Sequence, residues 1–97
     1  MIQSFESAAT EDIFNGKNTK AARRTCPQTL WMVATRKLDQ LDSVTSLGEL
    51  NAPPGNRLEA LSGGRKGQYS IRINDQYRLC FVWQAAGPGS VEIVDYH

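Results

Sequence analysis

The sequence predicts an α+β domain in which an N-terminal strand and two helices pack on one face of a mainly antiparallel sheet. Two observations predict it. Apolar residues recur at three- and four-residue steps as far as Val44, and at two-residue steps after Asn56. Between the two patterns stands Ala52-Pro53-Pro54-Gly55-Asn56, which cannot continue a helix because two prolines lack amide donors and the glycine favours a turn. With 97 residues and 40% hydrophobic content the chain can build one modest core, so residues 1–97 are expected to form a single domain.

Ile2 to Phe5 reads as a short first strand, after which Ser7 caps a brief helix running through Phe14, with Gly16 placed where helices stop. From Asn15 to Arg24 the chain lacks large apolar residues, so little offsets the entropy of ordering it, and residues 15–24 are expected to be a mobile segment. Thr25-Cys26-Pro27-Gln28 has the pattern of a capping box and predicts the start of the next helix. In that helix Leu30, Val33, Ala34, Leu38, Leu41 and Val44 form one stripe, leaving Arg36, Lys37, Asp39, Gln40 and Ser43 outside it. Four strands are expected at Arg57–Ser62, Gln68–Ile73, Tyr77–Trp83 and Ser90–Tyr96, with glycine-containing loops before the second and the fourth.

The middle strands carry a register argument. A three-residue loop, Asn74 to Gln76, pairs Ile73 with Tyr77, Arg72 with Arg78 and Ile71 with Leu79, which keeps both apolar sets on the helix side; a two-residue loop would mix the faces. Two arginines then stand opposite each other on the other face. Like charges so placed repel unless an anion, a carboxylate or a partner lies between them. Glu59, Glu92 and Asp95 are the carboxylates nominated to pair with them, and a phosphate is the alternative; Arg57 and Arg65 are candidates for the same surface.

Eleven Lys+Arg against ten Asp+Glu leave a net charge of +1, so global basicity gives no argument for nucleic-acid binding. Local clustering exists. Residues 17–37 hold Lys17, Lys20, Arg23, Arg24, Arg36 and Lys37 without an acid, which fits either a solvated surface or a contact with RNA or a partner. Cys26 and Cys80 lack metal-ligand spacing and have only His97 to accompany them, so neither a structural metal nor a cofactor is expected. No stretch approaches the roughly 20 apolar residues that span a bilayer, and no signal-peptide pattern opens the chain; the expectation is a cytoplasmic protein with reduced thiols and no membrane contact. The ending Asp95-Tyr96-His97 brings a carboxylate, a phenol and the only imidazole together, the groups that proton transfer requires.

Three segments carry a family resemblance: Pro53-Pro54-Gly55-Asn56-Arg57-Leu58-Glu59-Ala60-Leu61, the stretch from Gly67 to Phe81, and the ending Val91-Glu92-Ile93-Val94-Asp95-Tyr96-His97. Together they resemble the HigB family of plasmid-maintenance killer toxins, over nearly the whole chain. The resemblance implies a RelE-like fold and a ribosome-dependent mRNA interferase. It also implies partners: an antitoxin of the HigA type carrying a helix-turn-helix, the ribosome and its mRNA, and operator DNA reached only through the antitoxin complex. The implied chemistry is attack of an RNA 2′-hydroxyl on the adjacent phosphorus. By resemblance Asp95, Tyr96 and His97 match the family's functional ending, and Arg65, Arg72 and Arg78 its basic positions. His97 would transfer a proton, Arg78 stabilise the phosphate, and Tyr96 stack on or orient a base.

The chain also departs from the family. Where many members carry Lys-Gly-Asp-Arg this one has Ser62-Gly63-Gly64-Arg65, and where some have an active-site histidine it has Glu59. Removing one preorganised donor of transition-state charge costs on the order of 10² to 10³ in rate. The rival reading is therefore an attenuated or non-nuclease toxin of the same fold, acting as a gyrase poison or as an antitoxin-binding co-regulator.

Overall fold

A computed structural model describes residues 1–95 of the chain. Three helices, α1 (Ala8–Phe14), α2 (Lys20–Thr25) and α3 (Trp31–Ser43), precede four strands, β1 (Glu59–Ala60), β2 (Gln68–Arg72), β3 (Tyr77–Gln84) and β4 (Gly87–Asp95). The strands form one antiparallel sheet in the order β1-β2-β3-β4.

The core lies between the helices and one face of this sheet. Ile13 of α1, Ala22 of α2, and Ala34, Leu38 and Leu41 of α3 meet Ile71, Leu79, Phe81, Val91 and Ile93 from the strands. The stripe expected along α3 is present, with Ala34, Leu38, Leu41 and Val44 buried and Leu30 and Val33 packed at its margin. A buried hydrogen bond ties the layers: the Ile93 amide donates to Thr10 Oγ1 at 3.0 Å. Thr10 also shares a hydrogen bond with Ser7, whose hydroxyl caps α1 as the sequence predicts.

Several boundaries differ from expectation. The N-terminal strand reduces to one parallel bridge between Phe5 and Val91, flanked by bonds from the Gln3 amide to Pro88 O and the Glu6 amide to Val91 O. Thr25 caps nothing; it ends α2, and α3 is entered through a 3₁₀ turn at Gln28–Leu30 without a side-chain cap. Residues 20–25 are helical where no element was expected: Thr19 Oγ1 accepts from the Ala22 amide and donates to Asp12, and Ala22 is buried in the core. A capping box does exist, but at Ser46 and Glu49, opening the 3₁₀ turn Leu47–Asn51.

In the sheet, Arg57–Ser62 supplies only the two paired residues of β1, since Arg57 takes the left-handed conformation (φ 47°) and breaks the alternation before it starts. The loop expected over residues 85–89 is mostly strand: Gly87 pairs with Gln84 and Pro88 with Trp83, leaving Ala85 and Ala86 to turn. Gly87 is needed there, at φ 139°, because a Cβ would meet the backbone Met1 O at 2.3 Å. The β2–β3 register is the expected one, with Arg72 opposite Arg78 and Ile71 opposite Leu79.

Candidate functional site

Alternation along β2 and β3 places Ser70, Arg72, Arg78 and Cys80 on the face turned away from the helices. That face is not bare at its centre. Ser70 and Cys80 are fully buried, and charged side chains from four directions lie over them. Arg78 is the innermost cation, with a side chain 15% exposed; its guanidinium donates to Ser70 Oγ at 3.1 Å and to Glu59 Oε1 at 3.4 Å. Arg65, from the turn before β2, donates to Gln68 Oε1 at 3.1 Å and to Glu92 Oε1 of β4 at 3.4 Å. Arg72 pairs with Asp75 in the loop that follows its own strand.

The like-charge pairing read from the sequence is thus relieved by carboxylates. Of the nominated carboxylates Glu59 does so, for Arg78, while Glu92 pairs with Arg65; Arg72 is met by Asp75, which alternation does not point to because it says nothing about the reach of a loop residue. Asp95, the other nominee, instead accepts from the Gln76 amide through both carboxylate oxygens, at 3.2 and 3.1 Å. It lies opposite Tyr77 at the end of β4, one residue past the Val94 that faces Arg78. The structure therefore brings Arg65, Arg72 and Arg78 to one sheet face, while register puts Asp95 beside Tyr77 on the other. Arg57 is exposed before β1; its amide donates to Pro54 O, and its side chain makes no hydrogen bond or ion pair among the described residues. The roles expected of Tyr96 and His97 lie outside the described residues.

Ser70 is the residue that the sequence argument passed over. Its place between Gln68 and Arg72 in the alternation put it on the cationic face, and its hydroxyl holds Arg78 down against the sheet. Beneath the charges, burial pushes the Cys80 thiol up, while Arg65 and Arg78 pull it down and Glu92 opposes them. That balance keeps the thiol protonated, so the buried layer under the arginines is uncharged. Among the described residues, no three His, Cys, Asp or Glu side chains converge to hold a metal. Among the described residues, no helix is long and apolar enough to cross a membrane. A cavity of about 260 Å³ is lined by Met1, Val44, Thr45, Trp83 and the Ala85–Gly87 turn, and none of the arginines borders it.

Chemically, the face offers guanidinium groups at a spacing set by strand pairing, each able to exchange its carboxylate for a phosphate oxygen. The family described as RelE-like toxin of type II toxin-antitoxin system HigB matches residues 3–97. Over 60 residues the chain is 47% identical to Toxin HigB-1 of Vibrio cholerae serotype O1, taking in 62% of this chain and 63% of that protein. Over 58 residues it is 40% identical to an uncharacterized protein of Haemophilus influenzae, taking in 60% of this chain and 57% of the other. The chain thus spans less than two thirds of the length of either relative. In fold it is similar to a chain of the YoeB-YefM complex from Staphylococcus aureus, with a TM-score of 0.61 over 100% of this chain and 98% of that one, at 18% identity.

Proposed function

The chain belongs to the HigB family of RelE-like toxins of type II toxin-antitoxin systems, and we propose that it is an endoribonuclease that cuts mRNA on the ribosome. The observation that carries this reading is the Arg72–Arg78 pair, set opposite each other by the β2–β3 register with Arg65 on the same face. Such a face recognises closely spaced phosphates.

In the proposed reaction an RNA 2′-hydroxyl attacks the adjacent phosphorus, and the 5′-oxygen of the next nucleotide leaves. Arg78 stabilises the charge that builds on the phosphorane, since a guanidinium held by Ser70 needs no reorganisation as that charge forms. Arg65 and Arg72 hold the flanking phosphates, and Arg57 engages the strand as it enters. His97 delivers the proton to the leaving oxygen, Asp95 orients the catalytic ending, and Tyr96 stacks on a base. The protein works in the cytoplasm and needs no cofactor. A helix-turn-helix antitoxin holds it inactive, and operator DNA is reached only through that complex. With a net charge of +1 the toxin binds free RNA weakly, and the ribosome supplies the positioning.

The test is 5′-end mapping of a defined mRNA on purified ribosomes, beside a ribosome-free control and the His97→Ala variant. Ribosome-dependent cuts lost in the variant are expected. A wild type that makes no cuts refutes the nuclease reading and leaves the non-nuclease toxin.

A further inference from the structure

We propose that Gln76 is a positioning residue of the cleavage, fixing the end of β4 through the Asp95 carboxylate. The inference rests on the RNA-cutting reading above and deepens it, since the chain runs straight on from Asp95 to the two residues that reading gives stacking and proton transfer. Gln76 Nε2 donates to Asp95 Oδ1 at 3.2 Å and to Oδ2 at 3.1 Å. Both side chains are exposed, so the contact adds little to folding. Its place gives it another use. Tyr77 opposite Asp95 is the outermost rung of the β3–β4 ladder among the described residues, and Gln76 stands one residue before that rung. The last residues of a domain are poorly ordered unless something ties them down. Thr10 holds β4 through the Ile93 amide, two residues earlier; Gln76 acts beyond that point, where the chain leaves the sheet.

The donor is itself held. Asn74 Oδ1 accepts from the Gln76 amide at 2.9 Å and from the Tyr77 amide at 2.7 Å, and the Ile73 and Asn74 amides donate to Tyr77 O at 2.9 and 3.2 Å. Asp75, between Asn74 and Gln76, pairs with Arg72. A loop tied at each of its three residues keeps Gln76 within reach of Asp95. The same loop thus touches the cationic face through Asp75 and the end of β4 through Gln76. It sets the distance between the arginines that hold phosphate and the residues that act on it. Rate depends steeply on such a distance, because a misplacement of about 1 Å costs on the order of 10² in rate.

The experiment measures single-turnover cutting of a defined mRNA on ribosomes against toxin concentration, with thermal unfolding of each protein as the check on folding. The proteins are wild type, Gln76→Met, Gln76→Arg, Asp95→Ala and the double variant carrying Gln76→Met with Asp95→Ala. Gln76→Met keeps the length of the side chain and donates nothing. It is expected to melt with wild type, to cut about 10- to 10²-fold more slowly at saturating toxin, and to reach half its rate at the wild-type concentration. Gln76→Arg restores donors to both carboxylate oxygens and is expected to recover most of the rate. The double variant is expected to cut as slowly as Asp95→Ala and no more slowly, because Gln76 acts through that carboxylate. Gln76→Met cutting at the wild-type rate overturns the proposal. So do losses that multiply in the double variant, a Gln76→Arg variant no faster than Gln76→Met, or a defect confined to the concentration dependence. Absence of cutting by the wild type removes the nuclease reading itself.

Discussion

An arginine opposite an arginine is a costly cross-strand pair in water, and this chain keeps it by giving each guanidinium its own carboxylate. Exposed ion pairs of this kind contribute little to stability. Their substitution should therefore register in function more than in folding. Arg78→Ala is expected to lower ribosome-dependent cutting by about 10²- to 10³-fold in 5′-end mapping, and Arg78→Lys to restore only part of it, because an ammonium cannot bridge Ser70 and Glu59 as a planar fork does. A second residue-scale expectation concerns Cys26, whose thiol burial pushes from 9.0 up to about 11. Between those values the unfolded chain has released the thiol proton and the folded chain still holds it, so stability falls as pH rises through that window. Cys26→Ala should flatten the fall, read as the unfolding midpoint against pH.

At the scale of elements, α3 and the hydrogen bond between α1 and β4 carry the packing. Leu38 is fully buried, and Leu38→Ala is expected to cost about 2–5 kcal/mol in denaturant unfolding. Thr10→Val keeps the shape but leaves the buried Ile93 amide without its acceptor, at a cost of about 1–3 kcal/mol by the same measurement. The elements that periodicity foretold are those long enough to show a period: α3, β2, β3 and most of β4. The six residues of α2 are too few to display a stripe, and its cap, Thr19, lies in a stretch whose composition argued against order. Thr25 has the right neighbours for a capping box, yet Cys26 is drawn into the core and the chain is extended there. The site was legible in part. Alternation places Arg72 and Arg78, and the sequence also nominates Arg65 for the same surface. The side-chain links from Arg78 to Ser70 and Glu59 depend on which rotamers reach across strands, which neither spacing nor likeness encodes. Glu59 stands where some family members carry a histidine, and the structure pairs it with Arg78.

For the whole molecule, charge is divided by position. The acid-free run of residues 17–37 puts Lys17, Lys20, Arg23, Arg24 and Arg36 at the surface of the helical layer, while the arginines of the sheet are matched with acids. The sheet face is thus closer to neutral than its arginine count suggests, and phosphates must displace its carboxylates to bind. Cutting of free RNA should accordingly be slow and fall steeply between low and moderate salt, with ribosome-bound message less affected; parallel cleavage assays across a salt series would show the difference.

The bridge from Phe5 to Val91 also bears on how the protein is made. Synthesis runs from the first residue to the last, so the opening segment waits, unpaired, until β4 has been translated. Val91 and Ile93 complete the core under β3, and Ile93 supplies the amide that Thr10 accepts. A chain halted before β4 has the arginines but no finished sheet to hold them. On the proposed nuclease reading, the polypeptide cannot act until β4 has been added to the sheet.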